Sequence, residues 1–189
     1  MDPIAQLIED RARARAANDP WANLCALASV DGNGQPQVRT LVLRELQGRL
    51  AIFVNATSPK WEQLKASRVA VSTYFGTPDV QYRLQGTTEP VPRELVAESW
   101  LLRPPMPQRM DWLYAEHPQS TAIESRDELV QRVLSVDLPE PLHAPESANG
   151  LYLVPERIER LDLAQDNGIH DRRAWALEGD TWVETVLVP

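Results

Sequence analysis

Apolar and polar residues alternate over several short segments of the chain, and turn-forming residues separate these segments. A period of two is typical of strands that have one buried and one exposed face. The alternation predicts strands over 21–30, 36–44, 50–55, 68–75, 80–91, 151–163, 172–179 and 181–188. Short turns such as DGNGQ and ELQGR connect neighbouring strands, which favours antiparallel pairing. The pattern therefore predicts a small antiparallel barrel.

Helical spacing replaces the alternation before the first strand and at three places further along the chain. Helices are predicted over 3–16, 59–66, 93–102 and from Ser125 to Val136. Proline at the first helical position and a Ser-x-x-Glu capping box mark their starts. A proline-rich break is expected at 103–108 and a long loop at 138–150. We expect one domain over 1–189, with an N-terminal helix (1–18), a helical insertion (92–136) and C-terminal strands (150–189).

The net charge of −8 narrows the range of partners. An acidic surface argues against nucleic acid and anionic membranes, and no apolar run approaches the roughly 18 residues of a membrane span. The N-terminal segment lacks the apolar core of a secretory signal, and Cys25 is the only cysteine. We therefore expect a reducing, cytoplasmic setting. Three widely spaced histidines predict no metal site.

The strand segment RTLVLR, at 39–44, carries an arginine at each end. Alternation places Arg39 on one face with Leu41 and Leu43, and Arg44 on the other with Thr40 and Val42. At least one arginine should then lie on a face that is to be buried. A buried guanidinium needs an anionic partner, so this segment predicts an anion site.

Ser58, Pro59 and Lys60 open the second predicted helix. Backbone N–H groups at a helix start favour an anion, and Lys60 adds a full positive charge. Together with Arg39 they would form a phosphate site. The alternative is that Ser58 only caps the helix and Lys60 is a solvated lysine.

Two further groups of polar residues could take part in chemistry. His170 precedes Asp171 and Arg172, and histidine can act as an acid or base near neutral pH. It could equally be a loop histidine that hydrogen-bonds the adjacent aspartate. Gln81 and the pair Gln119–Ser120 could offer polar groups to a heterocycle, or they could be ordinary surface residues.

Taken in order, several motifs resemble the pyridoxamine 5'-phosphate oxidase family of FMN-binding split-barrel flavoproteins. The motifs are ALASVDGNGQPQVRTLVLR, IFVNATSPKWEQL, VQYRLQG, RPPMPQ, PQSTAIESRDEL, GLYLVPERIERL, IHDRRAW and the terminal LVP. They extend from about Leu24 to Pro189. The resemblance implies a mainly β, antiparallel, Greek-key-like FMN-binding split β-barrel with peripheral helices. It also implies a homodimer with FMN at the subunit interface.

The resemblance also implies a set of cofactor-binding positions. In this sequence they are Arg39, Thr40, Leu41, Val42, Leu43, Arg44, Phe53, Val54, Ser58, Pro59, Lys60, Gln81, Gln119, Ser120, Leu161 and Arg172. Arg39, Ser58 and Lys60 correspond to residues that hold the flavin phosphate, and Arg172 to one that reaches the ring system. Pro59 stands where the family has a phosphate-binding arginine, and Leu161 where it has a tryptophan.

The implied activity is FMN-dependent oxidation of a small anionic substrate, possible substrates including phosphorylated B6 vitamers. His170, Arg103 and Arg44 are the expected catalytic residues. The positions that hold the substrate phosphate in the family are Arg44, Ser99, Arg103 and Pro107 here, and a catalytic-loop arginine is Gly168. Because these positions depart from the family pattern, a flavin reductase-like enzyme and a non-catalytic flavin-binding protein stay open as alternatives.

Overall fold

A computed structural model describes residues 2–66 and 68–189, which form a curled sheet of nine strands and five helices. The strands are β1 (Leu24–Val30), β2 (Pro36–Val42), β3 (Arg44–Leu46), β4 (Arg49–Asn55), β5 (Val69–Phe75), β6 (Val80–Pro90), β7 (Ala148–Asp162), β8 (Asp171–Glu178) and β9 (Thr181–Leu187). The helices are α1 (Pro3–Ala16), α2 (Pro59–Ala66), α3 (Arg93–Leu101), α4 (Pro105–Glu116) and α5 (Arg126–Leu134).

All strand pairs are antiparallel, and the main path through the sheet is β2-β1-β5-β6-β7-β4-β3. The long strand β7 also pairs with β8, which pairs with β9. Among the described residues, no helix has both the length and the apolar character that a bilayer span requires. The mainly antiparallel β architecture with surrounding helices, which the alternation predicted, is confirmed.

The inward face of the sheet forms the main hydrophobic core. Leu27, Val71, Leu84, Ile158 and Trp175 lie in register across β1, β5, β6, β7 and β8. All five side chains are buried. Because side chains alternate along a strand, each of these strands turns its remaining residues outward. The inward and outward faces therefore carry different sets of the predicted site residues.

Helix α1 closes one side of this core through a buried polar network. The carboxylate of Asp10 accepts hydrogen bonds from Tyr82 Oη at 2.6 Å and from Arg160 Nε at 3.0 Å. Arg11, also buried, donates to the carbonyls of Ala22 and Leu43. Polar groups buried in this way are stabilising only when their partners are present, so α1 is tied to the sheet at defined points.

A second, smaller cluster lies between β4 and the helical insertion. Ala51 of β4 packs with Val96 and Trp100 of α3, and Trp112 of α4 lies against the same cluster. Alternation along β4 places Phe53 on the same side as Ala51. Helices α3 and α4 thus cover one face of β4, and polar residues of these helices lie beside it.

Three features differ from the sequence-based expectations. The break expected at 103–108 contains the start of α4, because Pro105 is tolerated in the first turn of a helix. The strand expected over 36–44 ends at Val42, since the backbone of Leu43 bonds to Asn23 and Arg11, and Arg44 begins β3. The end of the loop expected at 138–150 belongs to β7. The other predicted elements are confirmed to within a few residues.

Gly86 lies at a β-bulge in the pairing between β6 and β7. A Cβ atom at this position would lie 2.0 Å from the carbonyl oxygen of Val154. The contact is with backbone, which cannot move aside as a flexible side chain can, so only glycine fits the close approach of the two strands.

Candidate functional site

Arg39 lies on the inward face of β2, which it shares with Leu41, and the alternation predicted that these two residues share a face. It is opposite Leu27 in the β1–β2 register and is partly buried. Its Nη1 donates to Ser29 Oγ at 2.7 Å, and its Nη2 donates to Gln63 Oε1 at 2.9 Å. Within the described residues, every acceptor that Arg39 uses is a neutral oxygen. Its charge therefore has no carboxylate partner in this part of the chain.

Lys60 lies in the first turn of α2 and is also partly buried. Its Nζ donates to Ser58 Oγ at 2.5 Å and to Gln119 Oε1 at 3.2 Å, both neutral acceptors. Burial lowers the pKa of Lys60, and the nearby charge of Arg39 lowers it further. The structure thus brings the two predicted phosphate-binding cations close enough to repel each other.

This pair contrasts with other cations of the same chain. Arg103, Arg160 and Arg172 each pair with a carboxylate, as expected in a protein of net charge −8. Two adjacent cations that have no carboxylate partner in the described part of the chain, next to the N-terminus of a helix, favour a bound anion. We call Arg39 and Lys60 the cation pair.

The segment that leads into α2 positions the residues around Lys60. The side chain of Asn55 accepts hydrogen bonds from the backbone N–H of Thr57 at 3.0 Å and from Thr57 Oγ1 at 2.7 Å. Thr57 Oγ1 in turn accepts from the backbone N–H of Gln119 at 3.3 Å. Ser58 is buried. Gln119 is therefore beside Lys60 of the same chain, whereas Ser120 is exposed.

Four residues around the cation pair were missed by sequence reasoning. They are Ser29, Asn55, Thr57 and Gln63. Ser29 had a signal, because it is a polar residue at an inward position of an apolar strand. Gln63 lies three positions after Lys60 and so on a neighbouring part of the same helix face. The Asn55–Thr57 turn could have been inferred from the tendency of Asn to bond the backbone two residues on.

The other predicted cofactor residues of the first strands divide between the two faces. Thr40, Val42 and Arg44 are exposed, whereas Leu41 is half-buried and Leu43 is buried. The division confirms the face assignment of RTLVLR. On β4, Phe53 is half-buried and Val54 is buried, so Val54 and Leu43 could reach a ligand only through their backbone. Pro59 is exposed at the start of α2.

Three other predicted flavin-contacting residues lie side by side on the outward face. Gln81 of β6 is in register with Leu161 of β7, which is in register with Arg172 of β8. Arg172 Nη2 donates to Glu159 Oε2 at 2.8 Å. Burial by itself raises the pKa of Glu159, but hydrogen bonds from Arg172 and Arg157 outweigh it and leave the pKa below its usual value. Within one chain, this outward group is separated from the cation pair by the sheet.

The guanidinium of Arg103, an expected catalytic residue, already has a carboxylate partner in its own chain. Arg103 follows α3, and its Nη1 donates to Asp111 Oδ2 of α4. The same carboxylate oxygen accepts from Trp100 Nε1 at 2.9 Å. Burial raises the pKa of Asp111, although the charge of Arg103 and hydrogen bonds partly offset this. Sequence reasoning missed Asp111 because the start of α4 was interpreted as a break.

The remaining substrate-side positions are dispersed. His170 is exposed in the segment before β8. Among the described residues, the Asp171 carboxylate accepts from Arg173 Nε at 2.9 Å, and no hydrogen bond joins it to His170. Ser99 and Pro107 are half-buried on α3 and α4, and Gly168 is exposed in the segment between β7 and β8.

A cavity of ≈ 290 Å³ lies away from these residues, between α4 and α5. It is lined by Trp112, Leu113, Glu116, His117, Arg132, Ser135, Val136 and Asp137. None of the predicted site residues lines it. The candidate site is therefore the open surface around the cation pair rather than an enclosed cavity of the single chain.

Comparison with known proteins adds a family to this geometry. The family model described as pyridoxamine 5'-phosphate oxidase matches residues 14–138. A pyridoxine/pyridoxamine 5'-phosphate oxidase of Azotobacter vinelandii is 33% identical over 172 residues, which cover 88% of this chain and 78% of that protein. A protein of the same name from Saccharopolyspora erythraea is 30% identical over 184 residues, covering 93% of this chain and 81% of that one.

Two solved structures share the fold over the whole chain. PhzG from Burkholderia lata 383, in complex with tetrahydrophenazine-1-carboxylic acid, superposes with a TM-score of 0.85 at 22% identity and covers 100% of this chain and 93% of that chain. A pyridoxamine 5'-phosphate oxidase-related, FMN-binding protein from Nostoc punctiforme PCC 73102 has a TM-score of 0.80 at 19% identity, covering 100% and 98%. At these identities the likeness establishes the fold only.

Proposed function

Because the chain belongs to the pyridoxamine 5'-phosphate oxidase family, we propose that it is an FMN-dependent oxidoreductase acting on a small anionic substrate. The observation that carries the proposal is the cation pair. Arg39 and Lys60 lie close together without a carboxylate partner in the described part of the chain, beside the N-terminus of α2. A phosphate monoester supplies the charge that this arrangement lacks.

The residues present fit the phosphate end of FMN. Arg39 has a planar guanidinium suited to two-point contact, Lys60 adds a second charge, and buried Ser58 adds a hydroxyl. Pro59 contributes no cation, so the positive charge that binds the phosphate would come from Arg39 and Lys60. When bound, FMN would supply the redox chemistry, accepting a hydride from the substrate and passing the electrons to oxygen.

The chain's own contribution on the substrate side would be binding and orientation. Arg44 is exposed and, with Arg103, would attract the anionic group of the substrate. His170 would orient the substrate or move a proton. A phosphorylated B6 vitamer is one candidate substrate, since the named relatives are oxidases of that class.

We place FMN at the interface of a homodimer because of the two faces of the sheet. Gln81, Leu161 and Arg172 lie outward, whereas Arg39 points inward, so one chain cannot present both groups to one flavin. A second copy could supply the outward group. The outward face also exposes apolar side chains, including Val38 at 73% and Val42 at 43%, and exposed apolar patches are typical of interfaces.

Val38→Glu is expected to weaken this dimer. In a two-fold interface the substitution introduces two negative charges on facing surfaces, and we expect the dissociation constant of the dimer to rise at least about tenfold. Light scattering during size-exclusion chromatography would show a shift from twice 21.3 kDa toward 21.3 kDa. Val130→Glu, on α5 and 36% exposed, is the matched control. Retention of the wild-type dimer mass on dilution of Val38→Glu would argue against this interface.

A second function, flavin reduction or flavin binding without turnover of B6 vitamers, is favoured by the substrate-side positions. Pro107 and Gly168 offer no side-chain donor, and Arg103 is paired with Asp111. Each of these differences reduces the groups left to hold a substrate phosphate.

Anaerobic reduction distinguishes these functions. FMN-loaded protein would be mixed separately with pyridoxamine 5'-phosphate, pyridoxine 5'-phosphate and NAD(P)H, and the bleaching of the oxidised flavin band followed. Reduction by a B6 phosphate supports the oxidase, and reduction only by NAD(P)H supports a reductase. Bound FMN that no reductant bleaches supports a non-catalytic protein. Failure to take up FMN would reject the proposal as a whole.

A further inference from the structure

The Asp111 carboxylate of α4 lies beside Arg103, one of the expected substrate-side residues. It is 5% exposed as a residue, and it contacts Arg103 and the indole N–H of Trp100. Arg103 itself remains 37% exposed at its side chain. Its Nη1 is turned to Asp111, and the other N–H groups of the guanidinium have no partner among residues 2–66 and 68–189, so they can bind a ligand.

Asp111 and Arg44 belong to the same side of β4. Arg44 pairs with Ala51 in the β3–β4 register, and paired residues of neighbouring strands point to the same face. Ala51 packs against Trp100, whose indole binds Asp111. Arg44, Arg103 and Asp111 therefore belong to the same side of β4, and Asp111 pairs directly with Arg103.

From this arrangement we propose that Asp111 determines the charge of the substrate that the site accepts, favouring a singly charged carboxylate over a phosphate dianion. The inference rests on the proposed function and names its substrate class. Asp111 cancels one of the two positive charges that Arg44 and Arg103 would present. A phosphate dianion would meet one uncompensated cation and a buried carboxylate that repels it.

A planar aromatic carboxylate matches the groups that remain. The free edge of Arg103 can donate two parallel N–H bonds to a carboxylate, and Arg44 can balance its single charge. A phosphate needs more donors than this, because it has three terminal oxygens. Pro107 has no side-chain donor to provide one.

The test compares two probes that share a ring and differ in charge. Phenyl phosphate and benzoate would each be titrated into FMN-loaded protein at about pH 8, where a phosphate monoester is a dianion. Binding is measured by the perturbation of the flavin spectrum. Wild type is expected to bind benzoate at least as tightly as phenyl phosphate. Asp111→Asn keeps the shape but removes the charge, and should shift the ratio toward phenyl phosphate by about tenfold or more.

Asp180→Asn provides the matched control, since it changes net charge equally in the exposed turn between β8 and β9, and it should leave the ratio unchanged. If Asp111→Asn fails to fold, the ratio of the wild-type affinities for benzoate and phenyl phosphate tests the inference by itself. A wild-type preference for phenyl phosphate of about tenfold or more, an unchanged ratio in folded Asp111→Asn, or no perturbation by either probe would overturn the inference. FMN uptake is measured first, so failure of the proposed function is seen separately.

Discussion

Arg39→Met is expected to raise the dissociation constant for FMN by about tenfold to a hundredfold, because hydrogen bonds to a charged group are worth roughly 1.5–3 kcal/mol. Arg39 is the member of the cation pair with a planar, two-point donor surface. Lys60→Met should also raise the dissociation constant for FMN. Quenching of flavin fluorescence on binding to apoprotein measures both constants.

Riboflavin is the decisive comparison ligand because it has the ring and ribityl chain of FMN but no phosphate. If Arg39 binds the phosphate, Arg39→Met changes the affinity for FMN and leaves riboflavin affinity unchanged. Lys65→Met, on the same helix but paired with Glu62 at 3.0 Å, serves as the protein control. An Arg39→Met variant that binds FMN as wild type does would remove the main support for the site.

The pH dependence of FMN affinity provides a further check on Lys60. Burial and the charge of Arg39 lower its pKa in the free protein, and a bound phosphate should raise it. FMN binding is then linked to proton uptake wherever free Lys60 is deprotonated. Affinity should fall as pH rises through the lowered pKa of the free protein, and this fall should disappear in Lys60→Met.

Asp10→Ala is expected to reduce the free energy of unfolding by about 3–5 kcal/mol, the cost of breaking a buried ion pair from one side. The substitution leaves Arg160 and the hydroxyl of Tyr82 without their shared acceptor. Urea denaturation at one protein concentration measures the difference. Glu9→Ala, an exposed neighbour on α1, is the control and should change stability by well under about 1 kcal/mol.

The contribution of Asp10 has a defined pH dependence. Burial alone would raise its pKa, but hydrogen bonds from Tyr82, Arg13 and Arg160 outweigh burial and hold the pKa below 3.8. A lowered carboxyl pKa stabilises the fold above the unfolded-state value, and this is lost as pH falls through the folded-state value. The difference in free energy of unfolding between wild type and Asp10→Ala should stay constant near neutral pH and become smaller in acid. A difference of under about 1 kcal/mol at neutral pH would mean that the network does not anchor α1.

Local pattern was enough to predict most elements and the faces of the key strand. Alternation at 39–44 placed Arg39 and Arg44 on opposite faces, with Arg39 beside Leu41 and Leu43, and this division is confirmed. Only the structure shows that the face of Arg39 is the inward one. The same reasoning failed at 103–108, where three prolines suggested a break although Pro105 starts α4. Proline excludes helix interiors but not first turns, so composition alone could not decide between the two.

The sequence by itself determined which groups need a partner: at least one arginine of 39–44 on a face that is to be buried, and a lysine at a helix start. It also showed the family resemblance that connects them. Only the tertiary structure decided which partners are present. It brought Ser29 and Gln63 to Arg39, gave Arg103 a buried carboxylate in Asp111, and put Arg172 on the opposite side of the sheet from Arg39. The physical reason is the separation along the chain over which each interaction acts. Alternation and capping act over a few residues and are visible locally, whereas ion pairs depend on contacts between segments that only the packed sheet and helices bring together.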